Sequence, residues 1–96
     1  MTFLLSREIC YARKMNDIYR EIGMVLEGRR VEIGMSKRKL SELSGITPPY
    51  LREVLRGDRK PSIITLISIC NAMNIKISDV FLTLEKRVYI QGNNNE

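Results

Sequence analysis

The sequence predicts an all-α domain of five helices. Three observations support this fold class: apolar residues recur at the helical spacing of three and four, residues that favour helix ends separate the apolar runs, and 96 residues suffice for one small core. The clearest apolar stripe consists of Tyr11, Met15, Ile18, Ile22 and Val25. It predicts a first helix that ends near Gly34, since glycine readily adopts the left-handed conformation that closes a helix.

A short second helix is expected at about 37–44. Ser36 precedes it and is a good N-cap, because its hydroxyl can accept a hydrogen bond from an amide of the first turn. Leu40 and Leu43 are expected to point inward, and Gly45 can form the tight turn that follows.

A third helix is expected at about 48–55. Pro48 and Pro49 would be its first two residues, where a missing amide hydrogen costs nothing. A proline pushes the residue before it to the extended region, which suits Thr47 as the N-cap. Because Pro49 has no amide hydrogen, the Thr47 hydroxyl is expected to bond the amide of Tyr50.

A fourth and a fifth helix complete the predicted domain. Ser62 is the expected N-cap of the fourth, and Ser78 opens a short fifth helix that runs to Leu84. The residues predicted to point inward from the fourth helix are Ile63, Leu66, Ile67, Cys70 and Met73. The segment 87–90 is rich in residues that favour strands and is a candidate short C-terminal strand.

These elements divide the chain into three parts. Residues 1–17 are an N-terminal helical extension, either a separate helix or a continuation of the first. Residues 18–82 form the five-helix domain. Residues 83–96 are a C-terminal tail, whose polar end is expected to be disordered.

Positive charge is concentrated in the middle of the chain. The sequence has 16 Lys and Arg against 11 Asp and Glu, and seven cations with only three anions lie between Ser36 and Lys60. Lys37, Arg38 and Lys39 fall in the first turn of the second helix, where each cation opposes the helix dipole at a cost of roughly 0.3–1 kcal/mol. A polyanion would reverse this penalty, so nucleic acid is the expected partner. A solvated basic face is the alternative interpretation.

The composition argues against several other classes of protein. Cys10 and Cys70 are isolated among apolar residues and the chain has no His, so we expect free thiols and neither a metal nor another cofactor. Without a nucleophile motif or a glycine-rich phosphate loop, we do not expect an enzyme. The length leaves no room for a second, ligand-sensing domain, so no small-molecule ligand is expected. With no signal-peptide core and no run of about 18 apolar residues, we expect a cytoplasmic protein without a membrane partner.

The second and third predicted helices, the Gly-containing turn between them and the basic loop after them form a helix-turn-helix arrangement. The run GMSKRKLSELSGITPPYLREVLRGDRKPS, residues 34–62, resembles the phage repressor/Cro family, also called the XRE type. The residues that fall at family spacing are Ser36, Leu40, Gly45, Ile46, Thr47, Tyr50, Val54, Gly57, Pro61, Ser62 and Leu66. The resemblance covers about 18–82 and implies a lambda-repressor-like domain, in which the third helix enters the major groove and the second crosses the phosphate backbone.

The resemblance also implies which residues meet DNA. The base-contacting positions correspond to Thr47, Pro48, Pro49, Arg52 and Glu53. The phosphate-contacting positions correspond to Ser36, Lys37, Arg38, Tyr50, Arg56, Arg59 and Lys60. Proline can touch a thymine methyl but cannot make paired hydrogen bonds, so direct readout shifts toward Arg52, Glu53 and Arg56. The strongest single candidate is Arg52, with guanine as its expected base. Two interpretations of Glu53 stay open: it accepts from a cytosine amine, or it pairs with Arg56 within the helix.

The sequence departs from the family pattern at two places. Lys37 stands where the family often has Gln, and Arg38 and Lys39 stand where Glu is common, which removes the acid expected in a capping box. Arg30 matches a family arginine that often pairs with a Glu at the end of the third helix. That position is Leu55 here, so Arg30 needs another partner or faces solvent.

The expected function is sequence-specific binding of double-stranded DNA by a transcriptional regulator. We expect a repressor that acts as a homodimer on inverted half-sites about one helical turn apart. The residues predicted for the dimer interface are Phe81, Leu84, Val88, Tyr89 and Ile90, although packing within the monomer is the favoured interpretation for Phe81. The alternative is a protein-binding adaptor or an antitoxin with weak or no independent DNA binding, which the loss of two hydrogen-bonding side chains at Pro48 and Pro49 favours.

Overall fold

The computed structural model describes the backbone of residues 18–93 and the side chains of residues 18–87. Five helices follow one another in this part of the chain: α1 at 18–32, α2 at Lys37–Ser44, α3 at Pro48–Arg56, α4 at Ile63–Ala72 and α5 at Ile77–Asn93. The prediction of an all-α domain with five helices is confirmed. The expectations for residues 1–17 and for the chain end at 94–96 lie outside the described residues.

Local signals set the ends of the inner helices. The hydroxyl of Ser36 accepts a hydrogen bond from the amide of Lys39 at 3.0 Å, and Ser62 accepts one from the amide of Thr65 at 3.1 Å. A glycine with positive φ closes both α2 and α3. These boundaries agree with the prediction, because a cap needs only groups within one turn of the helix end.

The predicted cap of α3 is wrong in one respect. Thr47 has the extended conformation of an N-cap, with φ −62° and ψ 146°, but its hydroxyl makes no capping hydrogen bond to Tyr50. Its carbonyl still accepts from the amide of Leu51 at 2.9 Å. Because Pro48 and Pro49 fix φ at the first two helical positions, the backbone begins the helix without the side chain. The Thr47 side chain is exposed instead.

All five helices contribute to one apolar core. Its fully buried members are Leu26, Leu40, Leu51, Val54, Ile69, Cys70, Met73 and Val80. Burial raises the pKa of the Cys70 thiol, which forms no disulfide. The prediction that Cys70 points into the core is therefore confirmed, whereas Cys10 lies outside the described residues.

The predicted inward side of α4 is partly wrong. Ile63 and Ile67 are 54% and 39% exposed, whereas Ile69 is fully buried. Leu43 of α2, also predicted to point inward, is 52% exposed. Apolar residues lie on more than one side of α4, so the spacing alone does not select the side that packs.

The predicted strand at 87–90 is wrong, because α5 continues through this segment. Val80 and Leu84, four residues apart on α5, are buried in the core. One turn later, Arg87 donates a hydrogen bond to Glu21 of α1. These contacts continue the helix beyond its predicted end, and they override the weak strand preference of the residues that follow.

Two glycines let α1 approach the end of α3 closely. Gly23 faces the carbonyl groups of Val54 and Leu55, and Gly57 lies against the backbone of Arg20. A side chain at either glycine would enter space that backbone atoms already occupy. These contacts therefore fix the position of α3 relative to α1.

No single helix within residues 18–93 is long and apolar enough to cross a membrane. Among these residues, α4 and the first part of α5 would be long and apolar enough only if they were taken together, and the chain bends by 108° between them. Both helices contribute residues to the core, among them Leu66, Ile69 and Val80.

Candidate nucleic-acid interface

Arg30 joins the end of α1 to the loop that leads into α2. Its Nε and Nη2 atoms donate hydrogen bonds to the two carboxylate oxygens of Glu27 at 2.8 and 2.6 Å, and its Nη1 atom donates to the carbonyl of Met35 at 2.7 Å. The hydrogen bond from Arg30 is the main cause of the lowered pKa of Glu27. Of the two expectations for Arg30, another partner is therefore the correct one. These hydrogen bonds, called the Glu27–Arg30 clasp below, hold the backbone of Met35, which directly precedes the N-cap Ser36.

α2 begins with exposed cations and has no acidic residue in its first turn. Arg38 lies 3.6 Å from Glu42, yet its side chain remains 87% exposed. Lys37 and Lys39 form no ion pair with any residue that the structure describes. Positive charge at this end of the helix therefore faces solvent.

Ser41 fixes the turn between α2 and α3. Its side chain is buried, and its hydroxyl donates a hydrogen bond to the carbonyl of Ile46. The hydroxyl of Ser44 donates to the carbonyl of Leu40 at 2.7 Å, and Gly45 takes the left-handed conformation. These bonds satisfy carbonyl groups at the end of α2 and in the turn, and they set the direction in which α3 leaves.

α3 has one side in the core and the other toward solvent. The buried side consists of Leu51, Val54 and Leu55. The exposed residues are Thr47, Pro48, Pro49, Arg52 and Arg56, with Tyr50 and Glu53 half-buried beside them. All five residues predicted to contact bases thus lie on, or directly beside, the outward side of one helix.

Most charges on and after α3 are paired. Arg56 lies 3.2 Å from Asp58, and Glu53 accepts a hydrogen bond from Nε of Arg59 at 2.5 Å. The interpretation in which Glu53 pairs with Arg56 is therefore wrong. Gly57 takes the left-handed conformation after α3, and the chain turns so that Arg59 returns to Glu53. The hydrogen bond from Arg59 is the main cause of the lowered pKa of Glu53.

Two aromatic rings lie beneath the cations of the loop after α3. The guanidinium carbon of Arg59 is 5.4 Å from the centre of the Tyr50 ring, and Nζ of Lys60 is 5.9 Å from the centre of the Tyr19 ring. Both distances are within the range of a cation–π contact. Arg52, in contrast, is exposed and forms no ion pair among residues 18–87.

Sequence reasoning missed three parts of this surface. Glu27 lies three residues before Arg30 on one helix, a spacing that favours an ion pair and is a usable signal. Ser41 carries no such signal, because its partner Ile46 is brought close only by the turn. Tyr19 meets Lys60 only through the packing of α1 beside the loop.

The residues predicted for a dimer interface all lie on α5. Leu84 belongs to the core, whereas Phe81 is 38% exposed. Packing within the monomer therefore covers Phe81 only in part. The side chains of Val88, Tyr89 and Ile90 lie outside the described part of the chain.

The structure also has a shallow cleft between α2 and α4, of about 380 Å³. Its lining residues are Leu43, Ser44, Ser68, Asn71 and Ala72. None of these residues is charged, and none is among the residues predicted to contact DNA. Within the described residues, no group of three or more His, Cys, Asp or Glu side chains is placed to hold a metal ion.

Comparison with known protein families identifies this arrangement. A family model described as Helix-turn-helix matches residues 26–80, more than half of the chain. The chain belongs to the XRE-type helix-turn-helix family. The predicted family is thereby confirmed, and the matched span contains α2, α3 and α4 of this helix-turn-helix protein in full.

The helix-turn-helix protein is similar to several proteins named as regulators. It is 33% identical over 67 residues to the transcriptional regulator ClgR of Mycobacterium tuberculosis (strain ATCC 25618 / H37Rv), which is 70% of this chain and 60% of ClgR. The chain therefore spans less than two thirds of that relative. The crystal structure of the clp gene regulator ClgR from Corynebacterium glutamicum matches with a TM-score of 0.73 and 28% identity over 80% of this chain and 82% of the other. The restriction-modification controller protein C.AhdI from Aeromonas hydrophila matches with a TM-score of 0.63 and 27% identity over 65% of this chain and 94% of the other.

Proposed function

We propose that this helix-turn-helix protein is a transcriptional regulator that binds specific sequences of double-stranded DNA. The observation that carries the proposal is a helix-turn-helix in which α3 exposes a polar side and α2 begins with exposed cations, with the turn between the two helices bonded by Ser41. In this orientation α3 enters the major groove while α2 crosses the backbone. The similarity to relatives named as transcriptional regulators supports the same function.

One set of side chains is proposed to contact phosphates and another to contact bases. Phosphate contacts supply affinity and orientation, and base contacts supply sequence preference. Lys37 is best suited to a phosphate, because it is exposed at the start of α2 and has no ion-pair partner among the described residues. Arg52 is best suited to a base, because it is exposed on α3 and has no ion-pair partner among the described residues. Its planar donor fork matches O6 and N7 of guanine.

Pro48 and Pro49 narrow the sequence that this surface can read. Both rings are exposed at the start of α3, next to Arg52. A proline ring can contact a thymine methyl group but offers no hydrogen bond to a base edge. We therefore expect guanine at the position read by Arg52 and thymine at neighbouring positions.

A homodimer on inverted half-sites is part of the proposal. One such domain makes few base contacts. In a dimer, binding of the first copy to one half-site holds the second copy close to the other half-site, which raises the affinity for the paired site. A two-fold dimer implies half-sites separated by about one helical turn, roughly 34 Å. Phe81 on α5 is the exposed candidate for the dimer surface. A dimer bound over a promoter excludes other proteins from it, so repression is the proposed outcome.

Selection of bound duplexes from random DNA tests the function directly. The purified chain is expected to enrich a pair of inverted half-sites, each with a conserved guanine, at a spacing of about one helical turn. Enrichment of no sequence over the random pool, with only weak salt-sensitive binding, would contradict a specific regulator. Enrichment of a single half-site would retain DNA reading but contradict the dimer.

A protein-binding adaptor is the second candidate. Exposed apolar side chains away from α3 favour it: Leu43, Ile63, Ile64 and Leu82 are all more than half exposed. If the purified chain bound no oligonucleotide of any kind at low salt, the adaptor would replace the regulator. The cationic start of α2 is the observation that ranks it second.

A further inference from the structure

Arg59 is held at the surface by two different contacts. Its Nε atom donates a hydrogen bond to Oε1 of Glu53 at 2.5 Å, and its guanidinium carbon lies 5.4 Å from the centre of the Tyr50 ring. A carboxylate and an aromatic face are the surfaces that suit a guanidinium best. Fixing a long side chain on binding normally costs conformational entropy. The two contacts restrict Arg59 before any partner arrives, so less entropy remains to be lost.

Within this cluster the guanidinium is the outer member. The side chain of Arg59 is 59% exposed, against 34% for Glu53. Only Nε is used by Glu53, and the two terminal nitrogens make no hydrogen bond to a described residue. Their four N–H groups form a planar fork, which fits two acceptors side by side, as in a phosphate or in O6 and N7 of guanine.

Glu53 is poorly placed to read a base itself. Its carboxylate already accepts from Arg59, and this hydrogen bond lowers its pKa, so the group is charged at neutral pH. Next to a phosphate backbone, a carboxylate is repulsive unless a nearby cation compensates it. Arg59 provides that compensation on one side and the donor fork on the other.

We propose that Glu53 is a positioning residue for DNA binding: it holds Arg59 against Tyr50 so that the Arg59 fork meets a pair of acceptors on the duplex beside α3. This inference rests on the proposed function and adds a second recognition arginine, which lies outside the helix that reads the groove. Glu53 then contributes to binding only through Arg59 and makes no base contact of its own.

A double-mutant cycle tests this dependence. Glu53→Gln, Arg59→Gln and the double variant are compared with the wild type on the duplex that the wild type selects. Glu53→Gln is expected to weaken binding about two- to tenfold, as for one long side chain that must be ordered on binding, although it removes a repulsive charge. In the Arg59→Gln background, the same change is expected to cause no further loss.

Two variants separate positioning from charge. Asp58→Asn removes a carboxylate from the same loop, where it pairs with Arg56, and is expected to bind at least as tightly as the wild type. Arg59→Lys keeps the charge but lacks the planar fork, so it is expected to weaken binding, although less than Arg59→Gln, which also leaves the charge of Glu53 uncompensated. Melting temperatures monitor the fold, and they should stay close to the wild-type value because exposed ion pairs contribute little to stability.

Three results would overturn the proposal: equal weakening by Glu53→Gln in both backgrounds, tighter binding of Glu53→Gln than of the wild type, or wild-type affinity of Arg59→Lys. A repeated duplex selection with Arg59→Gln identifies the acceptor. Loss of preference at one base pair indicates guanine, and unchanged preference with weaker binding indicates a phosphate. If the wild type selects no duplex, the proposed function fails; if it does and only the cycle is additive, this inference alone fails.

Discussion

Gly23 of α1 lies directly against the carbonyl group of Leu55 at the end of α3. A Cβ atom at Gly23 would be 2.5 Å from that oxygen and 2.8 Å from the carbonyl oxygen of Val54. Because both oxygens belong to the backbone, neither can rotate away, and α1 would have to move away from α3. Gly28 on the same helix differs, since an added Cβ would have nothing within 4 Å.

Gly23→Ala is expected to lower the free energy of unfolding by about 1–3 kcal/mol, because the added methyl overpacks the contact between α1 and α3. Gly28→Ala is the matched control and is expected to raise it by about 0.5–1 kcal/mol, since alanine favours an open helical position over glycine. Urea denaturation followed by circular dichroism measures both. A stabilising effect of both substitutions would contradict the close contact.

The clasp between Glu27 and Arg30 predicts a loss of stability in acid. The folded-state pKa of Glu27 is below its ordinary value of 4.5, so folding favours the charged carboxylate. Its contribution is therefore complete above the unfolded-state pKa, about 4.5, and is lost as the pH falls from there through the lowered folded-state pKa. Glu27→Gln is expected to flatten this part of the profile of unfolding free energy against pH. An identical profile for variant and wild type would show that the clasp does not form.

Arg30→Ala is expected to destabilise the fold at neutral pH by about 1 kcal/mol, a value discounted for the partial exposure of its partner. The change removes the bonds to Glu27 and leaves the Met35 carbonyl without its donor. Denaturant titration measures the loss. Arg29→Ala is the comparison on the neighbouring position, because the one ion-pair partner of Arg29 among the described residues is the exposed Glu32, at 3.1 Å. A larger loss for Arg29→Ala would contradict the role assigned to Arg30.

Replacement of Lys37 is expected to weaken all DNA sequences about equally. If a dimer neutralises roughly four to eight phosphates, log affinity should fall by about 0.9 per contact for each unit of log salt concentration. Lys37→Gln should lower that slope by about 0.9 per half-site. Lys86→Gln, an equal loss of charge at an exposed position of α5, is expected to leave the slope unchanged. Fluorescence anisotropy across a salt series provides the measurement.

Replacement of Arg52 is expected to act on sequence preference instead. Arg52→Ala should relax the preference at one base pair by about 1–3 kcal/mol, the value of a bidentate arginine–guanine contact. Its effect on random DNA should be small beside its effect on the selected site. Competition between the selected duplex and single-base variants measures this. If Arg52→Ala and Lys37→Gln weakened every sequence alike, the separation of base and phosphate contacts would be wrong.

Phe81→Glu is expected to shift a dimer toward monomer, because a charge would replace an exposed apolar side chain of the proposed interface. Binding to a paired site should weaken, while binding to one half-site should be retained. Leu82→Glu changes the next residue, which is 52% exposed on another side of α5, and is expected to leave the dimer intact. Sedimentation velocity distinguishes the two. A dimer that survives Phe81→Glu would move the interface elsewhere.

Local chemistry in the sequence by itself determined where α2, α3 and α4 begin and which side of α3 is polar. Ser36 and Ser62 bond amides only three residues away, so every group that a cap needs is supplied by neighbours in the chain. The order of residues along α3 likewise separates Arg52 from Leu51 without help from the rest of the chain. The outward face of the candidate site was therefore predictable.

Only the tertiary structure decided how far α5 extends, which side of α4 packs inward and which partners the charged residues bind. Ile69 is buried and Ile67 is not, a choice made by the helices that pack against α4. Arg59 binds Glu53 because the chain turns back at Gly57, although Asp58 is nearer in sequence. Interactions between side chains act over a few ångströms, and the path of the folded backbone determines which groups come within that distance.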